Sequence, residues 1–319
     1  MRLLSQKIHQ HIKQASRVIV APHQNPDGDA IGAATAFHEY LIGLNKDAVI
    51  FCVTPANEKL HFVPHSDKII TDPAIFNDLT FDTVVVVDSG DLRYNGIAPF
   101  VENTNRTIIN IDHHATNEHY GHFNLVLPTA ASTTEILYHY FRHNGIRINQ
   151  KMATSLLTGL TTDTGNFTNA ATSSAALNAS GELIRSGGNM NLVTSETLKN
   201  KSIDALRLWG AVLGRLEKDL RTGITHTYLT LQDLEDYNVP DTESEGIANF
   251  LNNLEDNRIA LILKELPGGL VKGNFRTTKD DVDVSVLAKK FNGGGHKKAA
   301  GFTADGTIEE VLKKIFSLL

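Results

Sequence analysis

Four consecutive valines, Val84 to Val87, run straight into an aspartate, Asp88. A strand alternates its side chains between two faces, so an unbroken apolar run asks for burial on both. Sheets covered on both faces are, as a rule, parallel sheets packed between helices. That one segment therefore points to an α/β architecture. "RVIVAPH" from Arg17, "AVIFCVT" from Ala48, "KII" from Lys68 and "NRTIINIDHH" from Asn105 read as further strands.

Helical patterns fill the intervals: "AIGAATAFHEYLIGLN" from Ala30, "STTEILYHYFRHNG" from Ser132, "NQKMATSLLTGLTTDTGNF" from Asn149 and "SSAALNASGELIRSGG" from Ser173. Strands alternating with helices predict a mainly parallel sheet with helices on both faces over residues 1–190. From Asn191 the pattern turns helical and less apolar, and it holds the only tryptophan, Trp209. Residues 191–214 read as a helical linker, and residues 215–319 as a smaller mixed α/β domain. In that domain "ITHTYLTL", "RIALILKEL" and "LVKGNFRT" read as strands, the last two joined by the hairpin signal "PGG". "VDVSVLAKKF" and "TIEEVLKKIFSLL" read as helices.

Composition narrows the function classes. With 319 residues, 41% hydrophobic and 21% charged, the chain suits two soluble globular domains. A net charge of −6 argues against a long duplex or long strand as the main ligand, because phosphate neutralisation drives such binding. Short phosphorylated ligands fit, since a local pocket can be basic within an acidic whole. Cys52 is the only cysteine, which excludes an intramolecular disulfide and a thiolate zinc site. Leu4, Ile8 and Ile12 form an amphipathic stripe rather than the unbroken core of a signal peptide. No stretch approaches the roughly 20 apolar residues of a membrane span. A cytoplasmic protein without membrane association is expected.

The strand ends carry the chemistry. His23, Asp27 and Asp29 follow one strand, Asp88 another, and Asp112, His113 and His114 a third, while Asp163 follows a helical run. Ligands of open α/β sheets bind outside the carboxyl ends of the strands, so these segments should deliver their side chains to one cleft. Each piece has an ordinary explanation by itself: an aspartate after a strand often caps the next helix, and Asp27-Gly28-Asp29 could form a turn. Gathered together, however, Asp27, Asp29, Asp88 and Asp163 would repel unless cations neutralise them. Carboxylates with a few imidazoles and no thiolate suit Mn²⁺, with Mg²⁺ or Co²⁺ as alternatives. Two ions roughly 3.5–4 Å apart, sharing a carboxylate, would use the whole set.

"HQNPDGDA", "VVVVDSGD", "IDHH" and "TDTGNF", in this order and spacing, resemble the four motifs of the DHH phosphoesterase family. "FNGGGHKKAAGF" resembles the glycine-rich motif of the DHH-associated C-terminal domain. The resemblance spans nearly the whole chain. It implies that His23 and Asp27 hold one manganese, that Asp29, His113 and Asp163 hold the other, and that Asp88 bridges them. It further implies that His114 faces the scissile phosphate and that Asp112 orients the neighbouring imidazole. Short two-domain members of the family act as oligoribonucleases and pAp phosphatases, or as cyclic-dinucleotide phosphodiesterases.

In the second domain, Arg276 ends a strand and Gly293, Gly294, Gly295 and His296 follow a helix. Glycines let backbone amides approach an anion, while Arg and His can grip a phosphate or stack on a base. Arg276, Gly294, Gly295 and His296 are therefore the candidate substrate contacts, with Lys297 and Lys298 as a solvated pair beside them. The expected activity is hydrolysis of short oligoribonucleotides, linear dinucleotides such as pApA, and pAp, with catalysis in the first domain and recognition in the second. Cyclic di-AMP hydrolysis and manganese pyrophosphatase activity are the rival enzyme readings, and a non-catalytic nucleotide sensor is the rival from another class. A RecJ-like long-strand exonuclease would need further strand-gripping domains. A homodimer is compatible with the sequence.

Overall fold

The computed structural model describes residues 1–102, 104–198, 201–244, 246–251, 254 and 257–318, with only the backbone of His296. The chain divides into two compact units, residues 1–200 and 201–319.

The first unit is built on β1 (Arg17–Ala21), β2 (Asp47–Phe51), β3 (Ile69–Ile70), β4 (Phe81–Val87), β5 (Thr107–Asp112) and β6 (Phe123–Val126). Their order is β3-β2-β1-β4-β5-β6, and every pairing is parallel. The helices are α1 (Arg2–Gln14), α2 (Gly28–Gly43), α3 (Leu92–Asn95), α4 (Ala98–Val101), α5 (Thr133–His143), α6 (Gln150–Asp163), α7 (Ser174–Arg185) and α8 (Met190–Thr197). The valine run is explained by alternation: Val85 and Val87 enter a core shared with Ile8, Phe37, Ile136 and Leu156, whereas Val84 and Val86 enter the opposite one with Phe51, Phe76 and Ile97. Strand order reverses between β1 and β4, which makes their carboxyl ends the natural crevice for a ligand.

The α/β expectation holds, with two local differences. β6 carries no long apolar run, so it escaped a reading based on hydrophobic pattern. α2 begins at Gly28 rather than Ala30, because Asp27 supplies its cap.

The second unit contains α9 (Ile203–Gly214), β7 (Glu217–Lys218), β8 (Ile224–Leu229), α10 (Leu231–Asp236), α11 (Ile247–Phe250), β9 (Ile259–Leu266), β10 (Leu270–Arg276), α12 (Val284–Lys289), β11 (Gly294–His296), β12 (Ala299–Asp305) and α13 (Ile308–Ser317). Its sheet runs β11-β12-β10-β9-β8-β7 and is mixed, with only β8 and β9 parallel among these pairings. Gly268 and Gly269 take the left-handed backbone that turns β9 into β10. Packing divides the 191–214 stretch: Val193 of α8 lies in the first unit's core, and Ala205, Leu208 and Val212 of α9 in the second's. Within the glycine-rich run, Gly294–His296 form the edge strand β11, which opens a hairpin with β12. No helix among the described residues is long and apolar enough to cross a membrane.

Candidate metal centre

The chain leaving β1 carries His23 to the sheet end. Its Nδ1–H donates to the Gln24 carbonyl at 2.7 Å, which in the neutral ring leaves Nε2 with the lone pair. Nε2 lies 3.8 Å from Asp27 Oδ1 and 3.6 Å from Asp88 Oδ2. Asp27 Oδ1 caps α2, accepting from the amides of Asp29 and Ala30, each at 3.0 Å. Asp29, fully buried, accepts from the amides of Thr133 at 2.6 Å and Thr134 at 3.0 Å. Those are unpaired donors of the first turn of α5, where the helix dipole favours a negative charge.

Asp88 follows β4 with φ 57, a left-handed conformation that Asp tolerates better than most residues. It is not a helix cap. Asp91 caps α3, accepting from the Tyr94 amide at 2.7 Å. The Asp88 carboxylate instead accepts from Thr133 Oγ1 at 2.9 Å and stands between imidazoles. Oδ2 faces His23, while Oδ1 is 3.6 Å from His113 Nε2 and 3.7 Å from His114 Nδ1.

Asp112, fully buried at the end of β5, orients His114: its Oδ1 accepts from His114 Nδ1 at 2.7 Å and from the His113 amide at 2.9 Å. Its Oδ2 accepts from Asn117 Nδ2 at 2.6 Å. His113 Nε2 reaches the other way, to within 3.3 Å of Asp163 Oδ2. Asp163 is the last residue of α6, a place where the dipole disfavours a carboxylate.

The charges are in conflict without a counter-ion. Burial, then the charge of Asp88, pushes Asp29 up to about 7. Burial, then Asp27, pushes Asp88 up to about 6. Burial together with Asp29, Asp27 and Asp88 raises Asp163 well above the usual carboxylate range. Burial opposes protonation of His114, but its hydrogen bond to Asp112 and the charge of Asp88 outweigh it and push the imidazole up to about 9. Among the described residues, three groups have ligand atoms within 4.8 Å of one another: His23, Asp27 and Asp88; Asp29, His113 and Asp163; and Asp88, His113 and His114. The donor set of oxygens and imidazoles fits divalent cations, and Asp88 belongs to two of the groups.

Sequence reasoning missed the supports. Thr133 serves both Asp29 and Asp88, and Asn117 fixes Asp112. It also missed a glycine seam between α2 and α6. A Cβ at Gly32 would fall 2.4 Å from the Ser155 carbonyl oxygen, and one at Gly159 would fall 2.3 Å from Asp29 Oδ1. The four-residue spacing of Gly28 and Gly32 inside an apolar helix was the available signal.

In the second unit, Arg276 donates through Nε to Asn249 Oδ1 and through Nη1 to the Phe275 carbonyl, both at 3.0 Å. Register pairs Ala299 with both Arg276 and the backbone of His296, which sets them in one row; the His296 side chain lies outside the described residues. Gly294 is exposed with open space where a Cβ would stand, and Gly295 has φ 135. Gly293 has a packing role, since a Cβ there would meet Gly301 O at 2.2 Å.

The sequence matches the model described as "DHH family, N-terminal domain" over residues 17–160 and the DHHA1 domain over residues 223–319. It is 30% identical over 290 residues to the bifunctional oligoribonuclease and PAP phosphatase NrnA of Thermus thermophilus, covering 91% of this chain and 84% of that one. The chain belongs to the DHH family. As a DHH protein it is an enzyme, a phosphoesterase. It is also 24% identical to the cyclic-di-AMP phosphodiesterase PdeA of Listeria monocytogenes, across 100% of this chain and 49% of that one. Among solved structures, an exopolyphosphatase-related protein from Bacteroides fragilis shares the fold with a TM-score of 0.93 at 24% identity, covering 100% of this chain and 95% of that one.

Proposed function

We propose that this DHH protein hydrolyses short oligoribonucleotides, linear dinucleotides such as pApA, and pAp, using two divalent cations, preferably Mn²⁺. The observation that carries the reading is the Asp88 carboxylate, with His23 on one oxygen and His113 on the other, inside a ring of three more aspartates. His23, Asp27 and Asp88 would hold one ion; Asp29, His113, Asp163 and the same Asp88 would hold the second. Bound there, the cations would supply positive charge to the phosphoryl oxygens and lower the pKa of a water at neutral pH.

The chain's own groups would do the rest. The first turn of α5 fixes Asp29 through two amides, so that carboxylate needs no reorganisation on binding. Asp112 holds His114 by Nδ1, and that hydrogen bond favours the protonated imidazole. His114 would therefore meet a phosphoryl oxygen as a charged donor. In the second unit, Arg276 and the exposed glycines Gly294 and Gly295 would bind a phosphate of a short substrate, and the name of the Thermus thermophilus relative supports oligonucleotides and pAp as that class.

The test is turnover of pApA, pAp, cyclic di-AMP and pyrophosphate by the full chain, before and after chelation. Activity on pApA and pAp that disappears on chelation and returns best with Mn²⁺ is expected. Full activity after demonstrated metal removal would refute the metal assignment. Cleavage of pyrophosphate alone would refute the substrate.

A further inference from the structure

Tyr94 stands at the rim of the metal centre and has no part in the assignment above. Its side chain is 52% exposed, although its ring lies against the buried His23 with centroids 5.6 Å apart and planes tilted by 33°. Exposed tyrosines are ordinary by themselves. The backbone of this one is fixed at both ends of its short helix. Its amide is bonded to the Asp91 cap at 2.7 Å, and Gly96, with φ 86, closes the short helix behind it. The next residue, Asn95, is buried and donates through Nδ2 to the carbonyls of Ala21 at 3.3 Å and Pro22 at 2.9 Å. Those carbonyls belong to the chain that leads into His23. The platform and the metal-facing histidine are thus tied to the same stretch of backbone.

Resting on the phosphoesterase reading with nucleotide substrates, we propose that Tyr94 is a base-stacking residue, which takes the nucleobase of the nucleotide whose phosphate lies at the centre. The ring adjoins the imidazole that faces Asp27 and Asp88, which sets it beside the candidate ligands where a bound nucleotide's phosphate would lie. A phenol is neutral at physiological pH, so it carries no charge to repel that phosphate. A flat aromatic surface recognises any base, because every base offers a π-face. Single-stranded RNA is commonly held in this way. The substrate class that follows is a single-stranded or linear nucleotide with its base unpaired.

The experiment compares wild type, Tyr94→Leu and Tyr94→Phe on three substrates with Mn²⁺ present: pApA, pAp and ribose 3,5-bisphosphate, which lacks a base. Tyr94→Leu should raise KM for pApA and pAp about tenfold with kcat little changed, within the usual strength of base–aromatic stacking. Tyr94→Phe, which keeps the ring, should behave as wild type. All three proteins should share one KM for ribose 3,5-bisphosphate. Unchanged KM values in Tyr94→Leu would overturn the proposal, as would a Tyr94→Phe enzyme as impaired as the leucine variant, which would assign the role to the hydroxyl. Equal losses with the base-free substrate would also overturn it, by making the ring a support for His23. A wild-type enzyme inactive on every nucleotide would instead overturn the substrate reading beneath it.

Discussion

Replacing Gly159 by alanine would put one methyl group where the centre has no room. In an exposed helix this change stabilises by up to about 1 kcal/mol, because alanine is the better helix former. At Gly159 the new Cβ would lie 2.3 Å from Asp29 Oδ1 and 2.4 Å from Thr134 Oγ1. Neither neighbour can retreat cheaply. Asp29 is pinned by two amides of α5, and Thr134 lies in the same turn. Overpacking of this kind costs about 1–3 kcal/mol, and weakening the charge-assisted bonds of Asp29 costs about the same again. The variant should therefore be destabilised by about 1–5 kcal/mol after the helix gain is subtracted, and its hydrolysis should fall by at least about tenfold as a candidate ligand is displaced. Gly181→Ala is the control, since a Cβ there meets nothing within 4 Å. Urea unfolding of both variants, with turnover of pApA measured alongside, gives the comparison. If Gly159→Ala were as stable and as active as Gly181→Ala, the seam between α2 and α6 would not be what sets Asp29.

Asp88→Asn keeps the shape and suits the left-handed backbone, but removes the charge shared by two of the candidate ligand groups. Hydrolysis should drop by orders of magnitude while the metal-free protein unfolds no earlier; near-normal turnover would exclude a bridging role. Asp233 is gripped by Arg215 at 2.6 and 2.7 Å, and that contact, against some burial, holds its carboxyl at about 2 instead of 3.8. A depressed carboxyl contributes stability above its unfolded pKa and loses it as pH falls toward the folded one, so Asp233→Asn should cost about 2 kcal/mol at pH 7 and almost nothing near pH 2. A difference independent of pH, by denaturant titration at both, would remove the ion pair as its cause. Arg276→Ala should weaken turnover of pApA by about tenfold to a hundredfold, the size of a lost charge-assisted contact, while sparing bis(p-nitrophenyl) phosphate. Equal losses on the two substrates would make Arg276 a support of the fold.

Much of the first unit was legible because its signals are local. An apolar run needs two buried faces, and an acid at its end needs a reason to be there, so Asp88 and the 112–114 triplet drew attention from sequence alone. What stayed hidden depends on distance. Strand order places β1 beside β4, and no pattern within either strand records that neighbour. Gly32 and Gly159 look like weak points in two separate helices until they meet. Thr133 reads as one more residue of a helix start, yet its amide and hydroxyl hold two different aspartates. The glycines of the run 293–295 suggest only an approach to an anion, yet Gly293 also admits Gly301 and Phe302 of the partner strand.

The left-handed backbone of Asp88 narrows what mutation can do at that position over long times. Glutamate would keep the charge but sits badly at positive φ and reaches too far, whereas asparagine accepts the backbone and lacks the charge. Glycine would relax the chain and remove the carboxylate altogether. On the two-cation reading proposed above, a lineage has no gradual route away from aspartate here: a neutral substitution would give a folded, inactive protein in one step. Inactive copies of such a chain would persist as intact proteins, and the residue at position 88 would be the place to find them.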